Sequence, residues 1–145
     1  MRVQAVPAEK IPKIWPQISP LLEEIKRRNS APESVSELKS NLMSEQALLI
    51  TFTEDEELRG IIAAYFLDSQ GANKRMAAMG WMWGKDITNL DNWEKFVKIM
   101  RRYGVHEVVG KTVPQVYSAW KDKPFWKKYN FTVEGDIVRA NIWGQ

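Results

Sequence analysis

The chain has 145 residues, of which 44% are hydrophobic and 27% are charged, and this composition is typical of one globular domain with its own core. Lys and Arg outnumber Asp and Glu by only 21 to 18, and no five like charges follow one another, so we expect neither nucleic acid nor a membrane surface as a partner. With no Cys and a single His, His106, the sequence excludes disulfides, thiolate zinc sites and Cys nucleophiles, and we expect no metal site. Because no apolar run is long enough to cross a bilayer and no signal peptide is recognisable, a cytoplasmic location is predicted.

The first third of the chain predicts one strand followed by two helices. Residues 3–6 alternate in polarity as a short strand does, and apolar residues from Ile11 to Ile25 then recur at helical spacing. Prolines at 12, 16 and 20 each remove a backbone donor, so we expect this helix to be kinked or to begin irregularly and to end near Arg28. Ser34 and Glu37 have the spacing of a capping box, which predicts a second, short helix.

The middle of the chain predicts an antiparallel meander. Ala47 to Thr53 and Leu58 to Leu67 are rich in strand-forming residues, and the acidic segment from Glu54 to Glu57 separates them as a hairpin turn. A second turn from Ser69 to Asn73 leads into a third strand from Arg75 to Trp83.

The last third returns to alternating helices and strands. Apolar residues from Leu90 to Met100 predict a helix, and Gly104 is suited to end it. The following elements are a strand from His106 to Thr112, a helix opened by Pro114, a helical turn opened by Pro124, and a strand from Thr132 to Ile142. The predicted fold is therefore a single α+β domain spanning residues 1–145, in the order β-α-α-β-β-β-α-β-α-β.

Seven tryptophans are far more than a chain of this length usually carries. They either fill the core or line an aromatic groove that binds a partner, because Trp is favoured where one end is buried and the other meets water or another protein. The candidates for such a partner-binding surface are Trp81, Trp83, Trp93 and Trp126.

Two segments and the order of elements resemble the GCN5-related N-acetyltransferase (GNAT) family. The segment from Phe125 to Phe131 is similar to the late F-Y-x-x-x-G-F pattern of the family, with Asn130 in place of the glycine, and Asn tolerates a left-handed backbone better than most residues. Leu58 to Ala64 resembles the family's third strand, in which a glycine precedes an apolar run. The opening segment, with Val6-Pro7 and Trp15-Pro16, resembles small GNAT-like proteins carried by bacteriophages.

The resemblance implies a coenzyme A site between the fourth strand and the next helix, and the sequence departs from the family there. GNAT enzymes cradle the pyrophosphate on a glycine-rich loop at a helix N-terminus. In this chain the segment from Gly84 to Asn92 has no glycine after its first residue, and Asp86 and Asp91 place negative charge where the pyrophosphate would lie. If coenzyme A binds, the resemblance points to Lys85, Ile87, Thr88 and Asn89 as the residues around it.

The residues that the resemblance implies for acyl transfer are also altered. Family members often use a carboxylate on the fourth strand as a base and a Tyr as the acid that protonates the departing thiolate. The strand from Arg75 to Trp83 has no Asp or Glu, and Trp126 stands at the position of that Tyr. Tyr129 and Tyr117 are the nearby candidates for the acid.

These observations support two functional hypotheses. The first is a GNAT-fold protein that needs no cofactor and serves as a binding or structural module with a protein partner, as a phage accessory or virion protein would in the host cytoplasm or the particle. The second is a divergent N-acyltransferase that uses acetyl-CoA. An unrelated α+β binding domain is a third interpretation, and the sequence leaves the acceptor, the partner and the oligomeric state open.

Overall fold

The computed structural model describes residues 1–29, 33–69, 71, 73–111 and 114–143. The strands are β1 (Arg2–Val6), β2 (Ala47–Glu54), β3 (Glu57–Asp68), β4 (Arg75–Trp83), β5 (Val105–Lys111), β6 (Thr132–Glu134) and β7 (Ile137–Asn141). The helices are α1 (Ile11–Asn29), α2 (Val35–Met43), α3 (Leu90–Arg102), α4 (Pro114–Trp120) and α5 (Pro124–Lys128). In this part of the chain, no helix has the length and apolar character needed to span a membrane.

All seven strands form one mixed sheet in the order β1-β2-β3-β4-β5-β7-β6. Each pair of neighbours is antiparallel except β4 and β5, which run parallel. The predicted α+β class is confirmed, and so is the predicted order of elements up to the last strand, which is a hairpin of two strands. Thr112, the predicted end of β5, lies outside the described residues, as do positions 30–32 of the predicted break and positions 70 and 72 of the predicted turn.

Helices cover both faces of the sheet, and each face has its own apolar core. On one face, α1 and α2 pack against alternate residues of β2 and β3 and against Trp81 of β4. On the other face, α3 and α5 pack against the intervening residues of the same strands and against β7. We call these the α1–α2 face and the α3–α5 face. Because successive side chains of a strand point to opposite sides, one sheet can fill both cores.

The prolines of α1 do not interrupt the helix, and the irregular start that the sequence predicted is present as a short 3-10 turn. A short 3-10 turn at Ala8–Lys10 precedes α1, which is then continuous through Pro16 and Pro20. The prolines at positions 12, 16 and 20 are four residues apart and exposed, so they lie on the side of the helix that faces away from the core. The opposite side of α1 is anchored by the buried Ile18 and Leu22.

The predicted last strand is two strands joined by a tight turn. The chain reverses after Glu134, and β6 and β7 pair as a short antiparallel hairpin. Gly135 lies in this turn with φ of 63°, a conformation that glycine adopts without strain. The sequence analysis overlooked this turn because the residues on both sides of it favour strands.

Candidate functional site

The two parallel strands at the centre of the sheet separate part-way along their length. β4 and β5 are paired from Arg75 and Val105 as far as Ala78 and Val109. β4 then continues to Trp83 with no β5 partner, so the edge of β4 that faces β5 carries unpaired backbone groups. We call the space between the diverging strands the cleft.

A β-bulge at Gly80 shapes the β4 side of the cleft. Ala64 of β3 pairs with Met79 and Ala63 pairs with Trp81, so Gly80 is the extra residue. The bulge reverses the alternation of β4, and Trp81 therefore packs on the α1–α2 face whereas Met79 packs on the α3–α5 face.

Two glycines fix the loop that leads from β4 to α3. Gly84 has φ of 107°, and a Cβ atom there would lie 2.2 Å from the carbonyl oxygen of Arg59. A Cβ atom on Gly60 would lie 2.6 Å from Cγ2 of Ile87. Both glycines therefore let the loop fold tightly over the end of the sheet, with the Ile87 side chain buried beneath it.

The N-terminus of α3 is capped by the chain itself. Oδ1 of Asn89 accepts hydrogen bonds from the backbone N–H groups of Asp91 (3.0 Å) and Asn92 (3.3 Å). Nδ2 of Asn92 donates to the carbonyl oxygen of Asp86 at 2.9 Å, which ties the loop to the helix. The amides that a helix N-terminus offers to an anion are thus partly occupied by a neutral side chain.

A lysine from a distant part of the chain approaches the same loop. Nζ of Lys123, in the turn between α4 and α5, donates to Oγ1 of Thr88 at 3.0 Å. Thr88 is buried, and its hydroxyl donates in turn to the carbonyl oxygen of Lys85 at 3.2 Å. The loop therefore has two cationic groups, Lys85 and Lys123, beside its two carboxylates. The sequence analysis missed Lys123, because 35 residues separate it from Thr88 and no pattern marks it.

Aromatic rings form the wall of the core beside α3. Trp126 stacks on Phe131 with ring centroids 4.7 Å apart, and Trp93 contacts Phe125 at 5.1 Å and Phe131 at 5.8 Å. We call these four residues the aromatic cluster. It joins α3 to α5, and it holds the turn that carries Lys123 against the β4–α3 loop.

On the α1–α2 face, a carboxylate from outside the sheet reaches β4. Nε1 of Trp81 donates to Oε1 of Glu33 at 3.0 Å and to the hydroxyl oxygen of Tyr65 at 2.9 Å. Oε2 of Glu33 accepts from Nδ2 of Asn41 at 3.1 Å. The sequence analysis correctly found no carboxylate within β4, but it missed Glu33, which lies in the segment before α2. The N–H of a buried Trp usually has a hydrogen-bond partner, and this tendency is the signal that could have prompted the search.

The structure compares closely with known acetyltransferase structures, although no family profile and no curated protein matches the sequence. An aminoglycoside 6'-acetyltransferase type Ii matches with a TM-score of 0.66 and 15% identity over 100% of this chain and 99% of that one. A predicted acetyltransferase from Clostridium acetobutylicum, solved with acetyl-CoA, matches with a TM-score of 0.56 and 14% identity over 93% and 92% of the two chains. Tetrahymena GCN5 matches with a TM-score of 0.62 and 10% identity over 100% and 98%.

This chain has the GNAT fold. The similarity to two of these structures extends over the whole chain. At these identities the comparison supports the fold alone, so function is argued from the residues of the site.

The GNAT-like turn after α5 is formed as the sequence analysis predicted. Asn130, at the glycine position of the family pattern, has φ of 50° and joins α5 to the last hairpin. Asn accepts this left-handed conformation more readily than other non-glycine residues.

The tryptophans predicted as partner-binding residues lie mainly in the two cores. Trp81, Trp93 and Trp126 are only 1%, 0% and 7% exposed, and Trp83 is half-buried. Trp81 and Trp83 share the α1–α2 face, as predicted from their spacing. Burial leaves the first three with little surface on which a partner could dock.

The two tyrosines predicted as acids have different environments. Tyr129 is buried at the end of α5, and burial raises the pKa of its phenol above the ordinary value. Tyr117 on α4 is exposed, and its ring packs edge-on against Trp126 with centroids 5.7 Å apart. The phenol of Tyr117 therefore lies beside the residue that replaces the GNAT tyrosine.

His106 lies at the end of the sheet away from the cleft. Its Nδ1 accepts a hydrogen bond of 3.4 Å from the backbone N–H of Arg75, and its ring stacks on Trp143 beside a cavity of about 280 Å³. Across residues 1–29, 33–69, 71, 73–111 and 114–143, no group of three or more acidic, His or Cys side chains is arranged to hold a metal ion.

Proposed function

We propose that this chain is a divergent N-acyltransferase that takes its acyl group from acyl-CoA. The observation that carries the proposal is the cleft, in which parallel strands diverge beside the N-terminus of a helix. Such a cleft offers unpaired backbone groups along β4 to an extended ligand and a helix dipole to its anionic end.

The described residues fit acyl-CoA well along the cleft. Its amide-containing arm suits the unpaired backbone edge of β4 beyond Ala78. Its phosphates suit the start of α3, where Lys85 and Lys123 supply positive charge. When bound, the thioester supplies an activated acyl group.

At the N-terminus of α3, the phosphates of acyl-CoA compete with groups of the protein itself. Asp86 and Asp91 balance the charges of the two lysines, and Asn89 occupies two of the amides. The phosphates must therefore displace the Asn89 side chain or bind around it, so we expect a modest affinity.

The reaction forms a carbon–nitrogen bond as the carbon–sulfur bond of the thioester breaks, and a proton of the amine ends on the sulfur. Tyr117 suits delivery of that proton better than Tyr129, because its exposed phenol can approach a ligand in the cleft. The phenol of Tyr129 is enclosed by the core.

The second candidate function is a binding or structural module without coenzyme A chemistry, including the phage accessory or virion role. The cap made by Asn89 favours it, because the helix N-terminus is already satisfied without an anion. The stacking of Trp126 on Phe131 favours it too, since no hydroxyl is present at that position.

A thiol-release assay separates the two candidates. The chain has no cysteine, so a thiol reagent reports only free coenzyme A, and the dependence of its release on the amine distinguishes acyl transfer from hydrolysis of the thioester. We expect acetyl-CoA and a panel of primary amines to give amine-dependent thiol release, and we expect Tyr117→Phe to slow it. Absence of release at millimolar concentrations of both substrates would support the binding module instead.

A further inference from the structure

The Glu33 carboxylate is held in one position by two neutral side chains, and the backbone of the same residue is held by a lysine. Its two carboxylate oxygens accept from the Trp81 indole and the Asn41 amide, and its own carbonyl oxygen accepts from Nζ of Lys26 at 2.8 Å. No ion pair within the described part of the chain includes the Glu33 carboxylate. Because the hydrogen bonds to this half-buried carboxylate come only from neutral groups, a cationic donor can form a charge-assisted bond with it.

Glu33 and Tyr65 retain hydrogen-bonding capacity. A carboxylate has about four acceptor positions, and Glu33 uses two of them. The Tyr65 hydroxyl oxygen lies within 3.0 Å of the same indole nitrogen as Glu33 Oε1, so the two oxygens are neighbours. An ammonium group has three donors, and these two oxygens can accept two of them.

The location of this pair links it to the cleft. Trp81 follows the bulge residue Gly80 on the part of β4 that β5 does not cover. A Cβ atom on Gly80 would lie 2.9 Å from Cε2 of Tyr65, so the Tyr65 ring packs directly on the bulge. The helix N-terminus and Lys123 lie toward α3, whereas Glu33 and Tyr65 lie on the α1–α2 face. A second substrate would therefore approach β4 from the side opposite to the phosphates.

We infer that Glu33 and Tyr65 form a binding site for the protonated amino group of an aliphatic amine. The inference rests on the proposed function only in making this amine the acceptor of the acyl group, for which the bound ammonium group first releases one proton to water so that its nitrogen can attack. Glu33 acts as a binding and specificity-determining residue, which selects amines that are cationic at neutral pH over uncharged arylamines and alcohols.

The binding test uses n-butylamine at pH 7 and the Trp81 indole N–H resonance, with no acyl-CoA present. We expect a saturable shift of this resonance with n-butylamine and none with 1-butanol. Glu33→Gln keeps a carbonyl acceptor for the indole but removes the charge, so it should weaken amine binding at least tenfold, and Tyr65→Phe should weaken it less. Glu23→Gln, at an exposed position of α1, is the matched control and should leave the affinity unchanged.

The binding test and the thiol-release assay together distinguish failure of the amine site from failure of the proposed acyltransferase. Equal affinity of the wild type and Glu33→Gln, or no saturable shift in the wild type, would overturn the site. An amine-dependent shift without thiol release would retain the cation site and reject the acyltransferase. If Glu33→Gln releases thiol with the same KM for n-butylamine as the wild type, the acyltransferase is retained and Glu33 is rejected as its amine site.

Discussion

Lys123 donates a hydrogen bond of 3.0 Å to Oγ1 of Thr88, and this contact connects the α4–α5 turn to the loop before α3. It places a cation beside the loop that leads from β4 to the N-terminus of α3. The pair therefore connects the fold to the proposed binding of acyl-CoA.

Removal of this charge should weaken the binding of acyl-CoA. We expect Lys123→Met to raise the Kd about tenfold, because one charge-assisted hydrogen bond is worth about 1.4 kcal/mol or more. Lys127→Met, which removes an exposed lysine of α5, is the control and should change the Kd less than twofold. Calorimetric titration with acetyl-CoA measures the Kd of both variants. Equal increases in Kd would show that the net charge of the protein matters and the position of Lys123 does not.

The Asn89 cap should compete with the phosphates. Asn89→Gly frees the amides of Asp91 and Asn92, and Gly at an N-cap costs only a few tenths of a kcal/mol of stability. We expect acetyl-CoA to bind more tightly to this variant while the melting temperature changes little. A weaker affinity would mean that the Asn89 side chain itself contacts the ligand.

Much of this architecture is predictable from local chemistry. The Ser34–Glu37 capping box forms as expected, with both of its hydrogen bonds present, and Asn130 adopts its left-handed backbone. These features depend on residues within a few positions of one another, where a pattern is visible.

The features that sequence patterns did not predict depend on distant residues. The contact of Glu33 with Trp81 spans 48 positions, and no periodicity connects them. The bulge at Gly80 follows from the pairing of β3 with β4, since a glycine within a strand has several possible meanings. The helical spacing of apolar residues did predict α1, and burial of its apolar side keeps the helix continuous through its prolines.

The conformation of the β4–α3 loop should depend on Gly84. Gly84→Ala introduces both a strained φ and a contact with the Arg59 carbonyl oxygen. Gly71 also has a positive φ, of 86°, but has open space around it, so Gly71→Ala measures the backbone strain alone. We expect Gly84→Ala to lower the free energy of unfolding by about 2 kcal/mol more than Gly71→Ala, as measured by urea titration. Equal losses of unfolding free energy in the two variants would show that the loop can move away from Arg59.

Trp93 should contribute much of the stability of the aromatic cluster. It is fully buried, and its Nε1 has no hydrogen-bond partner in the described part of the chain. We expect Trp93→Ala to lower the free energy of unfolding by about 3–5 kcal/mol. Trp93→Phe should cost less, because it also removes a buried, unpaired donor. Denaturant unfolding checks both, and a larger loss for Phe than for Ala would contradict this account.

The buried phenol of Tyr129 should make stability depend on pH in the alkaline range. Burial raises its pKa above the ordinary value of 10.0, so the folded state keeps the proton when the unfolded state has lost it. The resulting stabilisation is present below pH 10 and is lost as the pH rises through the folded-state pKa. Between pH 9 and pH 11, the free energy of unfolding should therefore fall more for the wild type than for Tyr129→Phe. If the free energy of unfolding falls equally for the wild type and Tyr129→Phe, the phenol ionises equally in the folded and unfolded states.

Calorimetric titration of the purified chain with acetyl-CoA, repeated with desulfo-CoA at low salt, tests the central claim most directly. The account predicts saturable binding of both ligands with a Kd below about 100 µM, which Lys123→Met weakens. Absence of detectable heat at millimolar ligand would contradict it, because the cleft would then be a feature of the fold without the ligand that we assign to it.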